Sequence, residues 1–465
     1  MKYVGLRWLL AAGLGLTITM LRAAEPLPAP LAPPRVVLKT AQNDGRMLRI
    51  PPTRDLARAR TSNINIRYLE AGEINIFNDV CVGWPEDAKA AFSYAAQIWA
   101  SLIEVPVPIT INACWANMSP ANILGHGGAS LFFRDFQGAS IASTFYPVAL
   151  ANAMAGVDLY PGEDEIVIAY NALQPWYLGT DGNCPLGQYD FVSVILHEIC
   201  HGLGFLGSWD YDNGVGGWGL GAYPIVYDRF IVNGPGQYLL NTDLFFNPSQ
   251  ALGSQLTGGN IYFSGQHAAA ANGGVAPSIY APATWSGGSS LSHLGEEFRG
   301  TINSLMVFSF ADGYSIHDPG PITMGLLQDI GWSTTTTPVP MMGINGSVNP
   351  VTISTSDPLV MEVAMDPGGS AGRQKDWWAV ADTPLGLFYY QAGPNQWFAS
   401  GSPELISLHP AYQGPLEALA RITILYMPPN SLPAGSYQFY FGVDERNGVV
   451  DPDILYATVP VTITP

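Results

Sequence analysis

Between Asp190 and Gly204 the chain carries a helix-length run that belongs at the centre of a folded unit. Phe191, Val192, Val194, Ile195, Leu196, Ile199 and Leu203 cover nearly every side of a helical projection, and Asp190 can supply the N-terminal cap. A helix that is apolar all round is buried. This one also holds His197, Glu198 and His201, and two imidazoles and a carboxylate inside a core are costly unless a strong partner satisfies them. The spacing identifies the partner. Residues i and i+4 project from one face of a helix, so His197 and His201 point together in the H-E-x-x-H pattern that gives two ligands to a tetrahedral zinc ion. Glu198 is too close along the chain to join them easily, and is left to act on the attacking water as a general base.

A catalytic zinc needs a third protein ligand. No Glu lies between His201 and Glu296, which nearly closes the route through a downstream glutamate. The compact H-E-x-x-H-x-x-G-x-x-H arrangement is followed through Gly204 and then fails, because position 207 is Gly. Gly204 can still end the helix and turn the chain sharply. The third ligand therefore comes from further away. His293, in Ser290-Leu-Ser-His-Leu, is the leading candidate, with His267, Asp210 and Asp228 as weaker ones.

The order His197-Glu-Ile-Cys-His-Gly-Leu-Gly-Phe205, a long insertion, Ser292-His293, then Asn303-Ser-Leu-Met306 resembles the leishmanolysin-type metzincins. Ile322-Thr-Met-Gly-Leu-Leu-Gln-Asp-Ile-Gly331 resembles their closing helix. The resemblance covers residues 185–332 in motif order. It implies an α+β, metzincin-like zincin catalytic domain in which His293 is the third zinc ligand and Met306 the Met-turn residue under the metal. The chain departs from that family in having four cysteines and an insertion of different composition, so its specificity loops are not carried over.

The rest of the chain sets the context. Acidic residues outnumber basic ones 37 to 19. The resulting charge of −18 opposes binding to phosphate backbones or anionic lipid, so nucleic acid is not an expected partner. Lys2, Arg7, the apolar run from Trp8 to Leu21, and Ala23-Ala24 read as a secretory signal peptide over 1–24, and the mature protein is expected to be exported without a membrane span. Residues 25–61 are proline-rich without apolar periodicity and read as a propeptide or linker. That segment has no Cys, so any inhibition by it is steric or through a carboxylate such as Asp44. Residues 62–335 form the zinc metallopeptidase domain, in which Pro85–Leu102 reads as an amphipathic helix and 207–292 as an irregular insertion. Residues 336–344 form a linker. The short apolar runs of 345–465, separated by Pro, Gly and Asn turns, predict an antiparallel immunoglobulin-like β-sandwich.

Cys81, Cys114, Cys184 and Cys200 are an even set in an exported chain, and sequence proximity favours the disulfides Cys81–Cys114 and Cys184–Cys200. Asp210-Tyr-Asp212-Asn213-Gly214 resembles the start of a Ca2+ loop but lacks its regular spacing and distal Glu, and a plain acidic turn is the favoured reading. His126 is read as a surface histidine. Trp377, Trp378 and Trp397 are read as packing residues, with glycan or surface contact through the C-terminal domain as the alternative. Together these features predict a secreted zinc metalloendopeptidase acting on protein or peptide substrates. Two alternatives stand beside it: a secreted binding or adhesion protein with an inactive zincin domain, and a zinc hydrolase of non-peptide amides.

Overall fold

The computed structural model describes residues 25–26, 33–43, 45–52, 63–334, 338–370, 372–402, 404, 407–451 and 454–465. The expected signal peptide and Asp44 lie outside these residues. The described chain is α+β, built mostly of strands with few helices, and no helix among the described residues is long and apolar enough to cross a membrane.

The elements that position the site are, in chain order, β1 (Val36–Ala41), β2 (Leu48–Ile50), β3 (Ile64–Tyr68), α1 (Glu86–Leu102), β4 (Ile109–Ala116), β5 (Ile123–Ala129), β6 (Ile166–Asn171), α2 (Phe191–Leu203), β7 (Ser309–Ala311), β8 (Tyr314–Ile316) and α3 (Pro321–Ile330). Six of the strands make one sheet in the order β7-β1-β5-β6-β4-β3. All run parallel except β5, which is antiparallel to both of its neighbours. Helices α1 and α2 pack beside the sheet. α1 buries Ala88, Ala91, Phe92, Ala95, Ala96 and Trp99, and its small alanines let it approach closely. The Trp99 indole N–H donates to the Leu196 carbonyl at 3.0 Å, tying α1 to the middle of α2. Every residue of α2 is buried, as its all-round apolar surface requires.

Two segments read from composition carry strands. Residues 36–41, within the expected propeptide or linker, form an inner strand of the main sheet, and 48–50 pair with β8. The apolar run Val36-Val37-Leu38 is too short to show a strand period. Its hydrogen-bond partners, at residues 123–127 and 309–311, are far away in sequence. Part of the expected linker is also strand. β9 (Val339–Ile344) pairs antiparallel with β10 (Leu359–Asp366), because Val339, Met342 and Ile344 are buried despite the neighbouring prolines.

Beyond residue 338 the described elements are strands and one short 3-10 turn. A three-stranded and a seven-stranded sheet share one apolar core that includes Met361, Val363, Trp377, Phe439, Phe441 and Val461. Trp377 is buried there, whereas Trp378, next along the strand, is buried in a separate cluster with Val380 and Leu408, and its indole donates to Asp444 at 2.7 Å. Trp397 is half-buried, and its indole donates to the Ile424 carbonyl. Packing accounts for all three.

Candidate metal centre

The site starts from the two ends of α2. At its N-terminus the Asp190 carboxylate accepts from the Ser193 N–H at 2.9 Å and the Ser193 hydroxyl at 2.6 Å, and it also meets His317 Nε2 at 2.9 Å and the Ser315 hydroxyl at 3.2 Å. The cap thereby joins α2 to β8. At the other end Gly204, with φ 122°, stops the helix, where an added Cβ would come within 2.8 Å of Ile330. The Trp332 indole donates to the Leu203 carbonyl at 2.7 Å, so the segment after α3 buttresses this turn.

On the helix so fixed, His197 and His201 meet His293. One ligand atom from each lies within 4.8 Å of the other two, and all three side chains are buried. Each ring is aimed by a main-chain carbonyl that accepts from Nδ1: Leu305 for His197 at 2.6 Å, Phe205 for His201 at 2.6 Å and Ser289 for His293 at 2.8 Å. With the proton on Nδ1, every Nε2 carries a bare lone pair. Yet the Nε2 of His197 lies 2.9 Å from that of His201 and 3.2 Å from that of His293. Burial lowers all three pKa values, that of His293 to about 4, so the rings are neutral and these contacts bring lone pairs together. A cation among them removes the conflict. The donor set, three neutral imidazoles with nothing thiolate or carboxylate, suits a divalent transition metal such as zinc.

Glu198 gives the second test of fit. It is completely buried, and neither carboxylate oxygen has a hydrogen-bond partner. Burial pushes its pKa well up. An isolated buried carboxyl is expensive, and such a group marks a place where a missing polar partner belongs. The space over it is kept by β5. A Cβ added at Gly125 would stand 3.3 Å from Glu198 Oε1, and one at Gly127 would stand 3.1 Å from Oε2 and from the Glu198 carbonyl.

Met306 is buried in the 3-10 turn Ser304–Met306, whose Leu305 carbonyl accepts from His197 and whose Met306 carbonyl accepts from the N–H of Leu294, next to His293. The weaker ligand candidates fall elsewhere. His267 and Asp210 are exposed. Asp228 is buried and taken up by the Ser208 N–H, the Ser208 hydroxyl and the Ile225 N–H. Asp210 and Asp212 belong to a two-stranded hairpin whose tip, Asn213-Gly214, has positive φ at both residues. That is ordinary hairpin chemistry. Among the described residues, the cluster of three potential metal ligands is the histidine one.

Two expectations are corrected. Cys81 and Cys114 are bridged, but Cys184 and Cys200 are free and buried. Cys184 lies near the capped start of α2, where its N–H donates to Ser315, while Cys200 is ten residues further along the helix, about 15 Å away by helical rise. A disulfide needs Cα atoms roughly 4.4–6.8 Å apart. His126 is not at the surface: it is buried on β5, with Nε2 3.1 Å from the Asp79 carboxylate. Asp190, Ser193 and His317 were missed as a group. Only the D-x-x-S spacing of Asp190 and Ser193 is local enough to be read from the sequence.

Comparison with known families adds one match. A family model described as SPBPB7E8-like matches residues 74–216, which run from before α1 to just beyond the histidine helix. No curated protein matches the chain.

Proposed function

We propose that the protein is an exported zinc-dependent endopeptidase, with a catalytic unit of the leishmanolysin-type metzincin kind and C-terminal sheets forming an immunoglobulin-like sandwich. One observation carries this reading: three buried imidazoles turn unprotonated Nε2 atoms toward one another beside an unpartnered carboxylate. The motif order of the sequence supports it independently.

In this reading His197, His201 and His293 hold the metal through Nε2, each ring held by its carbonyl. Zinc supplies Lewis acidity there, polarising a carbonyl and lowering the pKa of water toward ~7. Glu198 takes the proton of the attacking water on a carboxylate oxygen and passes it to the departing amine. Gly125 and Gly127 keep the volume this exchange needs.

The test is cleavage of a diverse peptide mixture by the zinc-loaded chain, before and after limited proteolysis, beside Glu198→Gln and a chelator control. Cleavage that disappears in both controls supports a zinc peptidase. A folded, zinc-loaded chain that cleaves nothing under either condition rejects it, in favour of a non-peptide amide substrate or a binding protein.

A further inference from the structure

His197, Glu198, His201 and His293 are all 0% exposed. A peptide cannot reach such a centre while every element stays in place, so some segment covers it. Strand β1 is that segment by position. On one side it pairs antiparallel with β5, with Val36 opposite Gly127 and Leu38 opposite Gly125, the two glycines that lie against Glu198. Cross-strand partners share a face of the sheet, so Val36 and Leu38 stand on the Glu198 side, and both are buried.

On its other side β1 is held by the loop that delivers His293. The Val37 N–H donates to the Gly288 carbonyl at 2.7 Å, the Ser289 hydroxyl donates to the Val37 carbonyl at 3.1 Å, and Lys39 Nζ donates to the Ser286 hydroxyl at 2.8 Å. Ser289 is also the residue whose carbonyl orients His293. The Lys39 N–H reaches the Phe308 carbonyl at 3.2 Å, just past the turn that orients His197. β1 is thus an extended strand lying between the wall over Glu198 and the walls that carry two of the histidines. Without it, β5 would present a free edge of N–H and C=O groups facing a groove one strand wide, the surface that takes an extended peptide by β-augmentation.

We propose that residues 36–41 occupy the groove for an extended peptide and hold the chain latent, and that a substrate takes over their hydrogen bonds once they leave. The identity of the incoming peptide as substrate rests on the peptidase reading. The covering role of the strand does not. The places of Val36 and Leu38 further assign aliphatic side chains, two residues apart, to the peptide that fits.

The test uses the full zinc-loaded chain and reads the rate at which a chelator strips zinc. Val37→Pro removes the N–H given to Gly288, and Leu38→Asp puts a charge on the buried face. Each is expected to speed stripping at least tenfold with the fold kept, and a synthetic peptide of residues 34–42 is expected to slow it again. Folded variants with unchanged stripping overturn the proposal. Hydrogen exchange on the unaltered chain covers the case in which the variants fail to fold. The Val37 and Lys39 amides are expected to exchange at least tenfold faster than those of Ile168 and Tyr170 in β6, whereas equal rates make β1 a permanent wall and overturn it. Fast-stripping variants that cleave no peptide leave the covering strand standing and reject the peptidase. An intact chain that cleaves at full rate while its β1 amides stay protected rejects the strand alone.

Discussion

The Nε2 atoms of His197 and His201 lie 2.9 Å apart although each ring gives its Nδ1 proton to a backbone carbonyl, of Leu305 and Phe205 respectively. The third Nε2, from His293, stands 3.2 Å from His197. The three neutral rings meet lone pair to lone pair, so each imidazole should matter to metal retention. His293→Ala is expected to cut zinc affinity by more than the roughly 10–100-fold that follows loss of a supporting partner. Metal content after dialysis checks it, and full retention would contradict the ligand set.

Glu198 is expected to behave differently from the histidines. Glu198→Gln preserves the shape and leaves the three Nε2 atoms untouched, so zinc should stay at the parent level. Turnover of the opened chain should fall by about 10²–10⁴, the usual contribution of a positioned general base. Parallel metal analysis and rate measurement separate the two effects.

Gly127→Ala examines the space over that carboxylate. The new methyl would meet Glu198 Oε2 and the Glu198 carbonyl at 3.1 Å and Ile168 at 3.2 Å. Overpacking of this kind costs about 1–3 kcal/mol. Gly393→Ala, where an added Cβ meets nothing within 4 Å, is the control and should leave the melting temperature unchanged.

The cysteines give a chemical test. Cys184 and Cys200 are buried, and burial pushes the Cys184 thiol up to about 12 and the Cys200 thiol well above its ordinary value. Neither should react with a thiol reagent in the native protein. Unfolding without reductant should expose two thiols, with Cys81 and Cys114 kept as a disulfide. Four reactive thiols, or none, would contradict this pairing.

Asp228 should leave a mark on stability. Burial raises its carboxyl from 3.8 to about 6, against the hydrogen bonds of Ser208 and Ile225 that favour the charged form. Between those two values the native chain holds a proton that the unfolded chain has released, so stability falls as pH rises through this window and is level above it. The change is roughly 3 kcal/mol at ~1.36 kcal/mol per pH unit. Urea unfolding from pH 4 to 7 should show that slope in the parent chain, and Asp228→Asn should remove it. An identical slope in both would assign it to other groups.

The readable part of this protein is the part written at short range. The i, i+4 spacing of His197 and His201, the Asp190 cap and the stop at Gly204 all act within one helix, so periodicity and end signals suffice to see them. Pro85–Leu102 was legible for the same reason, and the structure places the helix at Glu86–Leu102. Among the C-terminal strands, Leu359–Asp366 and Leu455–Thr464 show as apolar runs, whereas Gln374–Thr383 begins with Gln-Lys-Asp and conceals its buried half. Proximity misled for Cys184 and Cys200, because a rigid helix separates residues that are close in number.

By itself, then, the sequence determined the helix and the direction of its two histidines, since local backbone geometry converts spacing directly into orientation. Tertiary structure decided everything that depends on distant segments meeting. It brought His293 to within 4.8 Å of the pair, gave each ring its carbonyl, left Glu198 unpartnered under two glycines, and set Val36–Ala41 across the centre as a strand. The energies of those contacts come from burial and hydrogen bonds between residues up to some hundreds of positions apart, and no local pattern carries that information.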